Sequence, residues 1–204
     1  MLTATGTRAD SKQGTAIVKA ITGSASYVDQ AGLSHPLKTG MVLQEGDTLQ
    51  TGVDSTVDLH LPHNGPAVGL NAESTLRFER LAFEETALGT VIDTRLRLSQ
   101  GDMVGSVHKL LAGSRYEVRT PRGLASVRGT EFYVSAKTGD VHVITGTVQL
   151  TIYLNVTSPG DPSSFKYVTI GAGQSFYMPR SFLDNATFLA VTTAPPPAQL
   201  PTGR

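Results

Sequence analysis

Two histidines and an aspartate lie close together in this sequence and are the residues best suited to hold a metal ion. Asp58 and His60 are two residues apart, so on a β-strand they would share one face. Pro62 would end that strand and place His63 in the turn that follows. Zinc needs three or four ligands that converge at about 2 Å. We therefore interpret all three side chains as exposed polar groups and predict no metal site.

A second cluster has the chemistry to bind an anion, and it consists of Arg115, Arg119, Arg122 and Arg128. On a strand, Arg115 and Arg119 would share one face with Glu117, which neutralises part of their charge. We interpret this face as solvated rather than as an anion site. Arg128 is expected to be desolvated and to donate to Glu131 or to carbonyl groups freed at a bulge at Gly129, because a buried guanidinium needs acceptors.

No other arrangement of residues indicates catalysis. The chain has no Gly-x-Ser-x-Gly sequence and no glycine-rich phosphate loop followed by a helix. Glu84 and Glu85 are adjacent in the sequence, whereas glycoside chemistry needs two acids that face each other across a cleft. We predict no catalytic residue, no cofactor and no small-molecule ligand.

Composition excludes several further classes. The 204 residues carry 17 Lys+Arg and 17 Asp+Glu, so no net charge attracts nucleic acid or an anionic membrane. Charged residues make up only 17% of the chain and there are 21 glycines, which is typical of a β protein with many turns. The absence of cysteine excludes disulfide and thiolate chemistry. No apolar run reaches the roughly 20 residues of a membrane-spanning helix, and the first residues lack the features of a signal peptide.

The elements that position these residues are predicted to be short β-strands, which begin at Thr15. The pattern apolar-x-apolar-x-x-Gly recurs along the chain, and we single out the five copies that end at Gly23, Gly46, Gly101, Gly146 and Gly173. The spacing is uneven, so it does not indicate a solenoid of fixed period. We predict that each glycine marks a bulge or corner where a strand bends around the core. Asn64-Gly65 predicts a hairpin turn, while residues 77–87 fit either a helical turn or a strand with a polar edge.

The most informative stretch is YEVRTPRGLASVRGTEFYV, residues 116–134. Its first part alternates apolar and polar residues, and the Pro and Gly that follow favour a turn over residues 120–123. The apolar phase then changes by one residue across Gly129, which predicts a glycine bulge. The residues to which we assign a structural role are Thr120, Pro121, Gly123, Val127, Arg128, Gly129, Thr130, Glu131 and Phe132.

This stretch resembles the signature of the FecR domain family in its pattern TP-R-G-x-A-x-VRGTEF-x-V. Three further stretches resemble successive strands of that family: GDTLQTGVDSTVDLHL from Gly46, LRLSQGDMVGSV from Leu96 and VHVITGTVQL from Val141. The likeness covers residues 16–153 and extends more weakly to Pro179. It implies an extracytoplasmic module without catalytic residues. In the regulators that name the family, this domain relays the signal of an outer-membrane receptor.

The predicted fold is all-β, a single compact domain of short bulged strands. Either a twisted β-solenoid or a β-sandwich-like arrangement would fit. The domain is expected over residues 15–191, with its core in 16–153. Residues 1–14 are predicted to be a flexible leader, and the Pro-rich residues 192–204 a tail or linker.

Together the residues and the resemblance predict a non-enzymatic protein-contact module of the cell envelope, periplasmic or otherwise extracytoplasmic. Its expected partner is an envelope protein, in envelope signalling or in relay to a sigma-factor system. The alternative is a surface or cell-wall protein that binds carbohydrate or peptidoglycan. The absence of Trp and an aromatic content of 6% count against that alternative, because such sites usually present aromatic platforms. An enzyme on a β scaffold is a third class, and no catalytic residues support it.

Overall fold

A computed structural model describes residues 11–153 and 165–178, and every regular element in these two ranges is a β-strand. The prediction of an all-β fold is therefore confirmed. The strands, in chain order, are β1 Lys12–Gln13, β2 Ala16–Thr22, β3 Ala25–Val28, β4 Ser34–Pro36, β5 Val42–Leu43, β6 Thr48–Thr51, β7 Thr56–Leu61, β8 Gly65–Leu70, β9 Thr75–Thr86, β10 Gly89–Gln100, β11 Asp102–Ser106, β12 Arg115–Thr120, β13 Gly123–Ser135, β14 Val141–Tyr153, β15 Phe165–Gly171 and β16 Ser175–Phe176.

The strands form one open sheet that curls like half of a barrel. Its order is β4-β3-β6-β9-β10-β12-β13-β11-β8-β7-β2-β5, with β14 beside β13 and with β15 and β16 beside β14. All the described strand pairs are antiparallel except β10 with β12. Strands β3, β4, β6, β9, β10 and β12 make up the first arm, and β2, β5, β7, β8 and β11 make up the second arm. The first part of β13 pairs with β12 and its last part with β11, so β13 connects the two arms.

The two arms share one hydrophobic core, because alternate residues of each strand point inward. In β7, for example, Val57, Leu59 and Leu61 are at most 2% exposed, while the residues between them are partly exposed. Leu96 and Leu98 of β10 are fully buried, as the sequence predicts. Inward-facing residues from both arms and from β13 and β14 belong to the same buried cluster.

The arms are joined at a series of corners where the chain passes from one arm to the other. Gly23 lies between β2 and β3, residues 52–55 between β6 and β7, residues 71–74 between β8 and β9, and Gly101 between β10 and β11. We call these four segments the corner ladder. Each one places a chain segment from the first arm directly before or after a segment of the second arm.

Hydrogen bonds connect neighbouring segments of the corner ladder. Two buried serine hydroxyls accept hydrogen bonds from backbone amides at a neighbouring corner. Ser55 Oγ accepts from the Ser24 amide, and Ser74 Oγ accepts from the Asp102 amide, both at 2.9 Å. The Thr51 hydroxyl accepts from the amide of Ser74 and donates to the Asn71 carbonyl at 2.6 Å. Buried hydroxyls thus satisfy backbone groups that strand pairing leaves open at the corners.

All five glycines that end the repeated sequence pattern have positive φ angles, between 72° and 96°. The prediction that they mark bends is confirmed. Gly101 also lies against a neighbouring segment of the corner ladder. A Cβ atom added there would be 2.1 Å from the Ser74 Oγ atom and 2.5 Å from the Ser74 Cα atom. Glycine is therefore required at position 101 for two reasons, its backbone angle and the close approach of Ser74.

The structure resolves some of the boundaries that the sequence leaves open. Residues 77–87, for which the sequence allows a helical turn or a strand, lie mostly in β9. The range predicted as a leader, 1–14, includes β1, which pairs with β9. Residues 1–10, 154–164 and 179–204 lie outside the described residues, and so does the predicted tail. No helix that could cross a membrane occurs in residues 11–153 or 165–178.

We predict that Gly101→Ala lowers the free energy of unfolding by about 3 kcal/mol or more, since it combines backbone strain with overpacking. Gly173 is a matched control, because its φ angle of 72° is close to the 75° of Gly101 and no atom lies within 4 Å of an added Cβ. Gly173→Ala should cost only the backbone strain, about 1–2 kcal/mol. Urea denaturation of both variants measures the difference. Equal losses would contradict a packing role for Ser74 in the corner ladder.

Candidate functional site

The turn between β12 and β13 is held by the hydroxyl of Thr120. Its Oγ1 atom accepts from the amides of Arg122 and Gly123, both at 3.1 Å, while Pro121 occupies the exposed first position of the turn. The predicted turn over residues 120–123 is confirmed. Gly123 does not have a positive φ angle, so its backbone angle is not what requires glycine here. Glycine is needed at this position because an added Cβ would be 2.3 Å from the Thr151 carbonyl oxygen.

The glycine bulge predicted in β13 is confirmed. Arg128 pairs with Thr147 of β14 and Glu131 pairs with Thr145, so two residues of β13 face the single residue Gly146. Gly129 has a φ angle of 63°. The apolar residues on each side of the bulge, among them Val127 and Phe132, are 1% exposed. The extra residue thus keeps the apolar side chains of β13 inward along its whole length.

The expected burial of Arg128 and Glu131 is wrong, because both side chains are exposed. The reason is the size of the bulge: two residues lie between them, so both remain in the outward phase. The polar residue that enters the interior is Thr130, which is 1% exposed. Its Oγ1 atom donates to the Thr147 carbonyl at 2.9 Å and accepts from the Thr147 amide at 3.1 Å. Thr130 therefore replaces the strand hydrogen bonds that the bulge interrupts.

Six arginines point outward from three neighbouring strands of the first arm, and we call this surface the arginine face. Its residues are Arg77 and Arg80 on β9, Arg95 and Arg97 on β10, and Arg115 and Arg119 on β12. Strand pairing places Arg97 directly between Arg77 and Arg119, and Arg95 beside Arg80. Sequence analysis identified Arg115 and Arg119 as solvated but missed the face, because β9 and β10 are distant from β12 in the sequence.

Four carboxylates lie among these arginines. Asp93 accepts two hydrogen bonds from Arg95, at 2.9 and 3.0 Å, and Glu45 accepts from Arg80 at 3.3 Å. Glu117 lies 3.6 Å from Arg115. The remaining carboxylate is shared, because Glu79 pairs with Arg97 and is also 3.9 Å from Arg119. A register shift in β9 turns both Glu79 and Arg80 outward and makes this sharing possible.

A groove of about 580 Å³ adjoins the arginine face on the outer side of β12, β13, β14 and β15. Its floor is a row of directly paired polar residues, Glu117, Ser126, Gln149 and Thr169. Arg115 and Arg128 also line it. The groove is open and polar, and it offers hydrogen-bonding groups to an extended ligand rather than an enclosed apolar cavity.

Strand β15 forms an edge of the sheet within the described residues. It pairs with β14 over seven residues, Phe165 to Gly171, and no other described strand lies beside it. Tyr167 on its outward face is 65% exposed. Phe165, two residues earlier, contacts the ring of Tyr153 at a centroid distance of 5.9 Å. A strand at the edge of the described sheet, with exposed aromatic side chains, is suited to pairing with another chain.

The histidines considered as metal ligands do not come together. His63 stacks on Phe83 with a centroid distance of 3.9 Å, while Asp58 and His60 lie on β7. Within residues 11–153 and 165–178, no group of three His, Cys, Asp or Glu residues is arranged to hold a metal ion.

His142 is the one histidine that the structure buries, and it is 3% exposed. Its Nδ1 atom is 2.7 Å from the Ser175 Oγ atom, and the rings of Tyr133 and Tyr177 pack against it at 5.3 and 5.1 Å. Burial lowers the pKa of His142, and the negative charge of Asp140 opposes this only in part. Sequence analysis missed this burial, because no residue near His142 in the sequence predicts it.

Comparison with known proteins agrees with the motifs. The sequence profile of the FecR protein family matches residues 47–149, about half of the chain. No curated protein sequence is significantly similar to it. Two crystal structures of a protein assigned as an anti-sigma factor from Parabacteroides distasonis ATCC 8503 resemble the fold, with 20% and 18% identity and TM-scores of 0.45 and 0.44. Each covers 63% of this chain, which spans about half (52%) of the length of those structures.

We predict that Thr130→Val lowers the free energy of unfolding by about 1–3 kcal/mol, because it leaves the Thr147 amide without its acceptor. Thr130→Ser keeps the hydroxyl and serves as the control.

Arg128→Ala should change the free energy of unfolding by less than about 0.5 kcal/mol, as expected for an exposed side chain. Thermal or chemical denaturation measures all three. A large loss of stability in Arg128→Ala would contradict the exposed position of Arg128 and support a buried pair with Glu131.

We also predict that His142 makes folding pH-dependent. Because its pKa is lowered from 6.5 in the folded state, the unfolded chain binds the proton more readily. Its contribution to stability is therefore fully present above about pH 6.5 and declines as the pH falls below that value. His142→Asn removes the titrating group, so its free energy of unfolding should fall less between about pH 7 and 5 than that of the wild type. Exposed His108→Asn is the control, and equal changes in both variants would refute the prediction.

Proposed function

The chain belongs to the FecR protein family, and from that premise we propose that it is a non-enzymatic module of the cell envelope that contacts a partner protein during signal relay. Control of a sigma factor through that partner is part of the proposal. The single observation that carries this proposal is the family match over residues 47–149. The matched range begins just before β6 and includes most of β14.

The role of the signature residues supports a scaffold rather than a catalyst. Thr120, Gly123, Gly129 and Thr130 form the turn and the bulge of β13, and they act on backbone groups. None of them presents a reactive group to a cleft. The signature residues of the family therefore determine the shape of the sheet. The function depends on the outer surface of the sheet.

The serine that lies beside a histidine is not accessible to a substrate. Ser175 is within hydrogen-bonding distance of His142, but it is 1% exposed, and the rings of Tyr133 and Tyr177 pack against His142. The charged groups that do converge, on the arginine face, are arginines paired with carboxylates. An arginine side chain is not deprotonated in proteins, so it does not serve as a general acid or base.

The β15 edge is the part of the surface that best supports protein contact. Strand addition provides main-chain hydrogen bonds, and side chains such as Tyr167 on the outward face provide specificity. We place the contact with the partner protein at this edge.

A second candidate function is binding of a cell-wall glycan. It is favoured by one observation: Tyr153, Phe165 and Tyr167 lie on the same outward face at the end of β14 and β15. Aromatic rings stack on sugar faces, and the polar groove beside them would supply hydrogen bonds.

Photocrosslinking in the native host tests both candidates. A benzoylphenylalanine replaces Tyr167, and the matched control places it at Val53, which is 68% exposed but lies in the corner ladder. We expect crosslinks to an envelope receptor or an anti-sigma protein from position 167 and not from position 53, as identified by mass spectrometry.

Other outcomes lead to other conclusions. Crosslinks only to cell-wall polymer would favour the glycan function. Crosslinks only to cytoplasmic proteins, or equal patterns from both positions, would contradict the proposed contact in the envelope.

A further inference from the structure

The arginine face has more positive than negative charge although the whole chain is neutral. Its six arginines are accompanied by four carboxylates, Glu45, Glu79, Asp93 and Glu117. Arg77 is exposed and has no ion pair among the described residues. The guanidinium groups of the face thus outnumber the carboxylates that the described part of the chain places among them.

The shortage of acceptors is greatest in one row. Arg77, Arg97 and Arg119 are direct cross-strand neighbours, and like charges in such positions repel. Glu79 is the carboxylate that serves Arg97 and Arg119 together. The Nε atom of Arg119 is buried without an acceptor among the described residues. The protein keeps this row positive at some cost to its own stability, although neutral polar residues would fit an outward strand face equally well.

The same row continues across the sheet to β15, the edge strand of the described residues. Strand pairing connects Arg119 to Leu124, Leu124 to Thr151 and Thr151 to Tyr167. Strands are about 4.8 Å apart, so the row from Arg77 to Tyr167 extends about 24 Å across six strands. Positive charge at one end and an exposed aromatic ring at the other form a continuous surface.

We propose that the arginine face binds an acidic segment of the partner protein. This rests on the proposed protein contact and names the chemistry of the partner. Guanidinium groups bind carboxylates through two parallel hydrogen bonds, and the side chains of Arg97 and Arg115 are still 47% and 52% exposed. Carboxylates of the partner supply the acceptors that the face lacks.

The spacing of the arginines fits a peptide in extended conformation. Arg95 and Arg97 are two residues apart on β10, so their Cα atoms are about 6.8 Å apart on one face. An extended peptide with a carboxylate at every second residue has the same period. On the neighbouring strand β12, Arg115 and Arg119 are four residues apart, which is twice the spacing of Arg95 and Arg97. Glu117 lies between them.

The test is binding of a fluorescent octapeptide of alternating Glu and Ser, measured by anisotropy at several salt concentrations. The variant Arg77→Gln/Arg97→Gln/Arg119→Gln removes three charges from the face. The matched control, Lys19→Gln/Lys38→Gln/Lys137→Gln, removes three charges from exposed residues that are not on β9, β10 or β12. A second variant, Arg77→Gln/Arg128→Gln, changes two exposed arginines that have no ion pair among the described residues, so it should fold as the wild type does.

We expect salt-sensitive binding to the wild type, a loss of about tenfold or more in the triple arginine variant, a smaller loss in the double variant and no change in the lysine variant. Equal losses in the arginine and lysine variants would show general charge attraction and overturn the inference. Absence of peptide binding would also overturn it, as would binding to phosphatidylglycerol vesicles in place of the peptide. If crosslinking from position 167 still identified an envelope protein in those cases, the proposed function would stand and this inference alone would fail.

Discussion

The hydrogen bonds of the corner ladder are the constraint on which the rest of the structure depends. Where the chain passes from one arm to the other, its backbone groups lose their strand partners, so each corner must satisfy its own backbone groups. Ser55 and Ser74 do this with hydroxyls that are buried at the corners, and Gly101 makes room for Ser74. The curvature they fix brings the inward faces of both arms into one core and leaves the outer faces to solvent.

Local patterns in the sequence predict local structure well here. Alternating apolar residues locate the strands, and the glycines of the repeated pattern and of the β13 bulge are all bends with positive φ angles. The reason is that strand phase and backbone angles depend on near neighbours in the chain. The error at Arg128 has the same origin: the phase change across Gly129 indicates a bulge but not whether one or two residues lie in it, and that number decides which polar residue turns inward.

Local sequence patterns do not predict the order of the strands in the sheet, and therefore they do not predict the candidate surface. The arginine face needs the parallel pairing of β10 with β12 and the register of β9, which join parts of the chain far apart in sequence. Overall composition hides it as well, because equal numbers of acidic and basic residues sum to zero wherever they lie. Likewise, nothing near His142 in the sequence indicates that Ser175 and Tyr177 cover it.

The pairing of β13 with both arms has a consequence for how the domain is inherited. Its first part pairs with β12 and its last part with β11, so the two arms meet at the signature sequence itself. A fragment that ends before β13 would hold the arms together at the corners alone, and a fragment that begins after β11 would lack about half of the core residues. We therefore expect neither fragment to keep the fold, so that the domain is passed on as one unit.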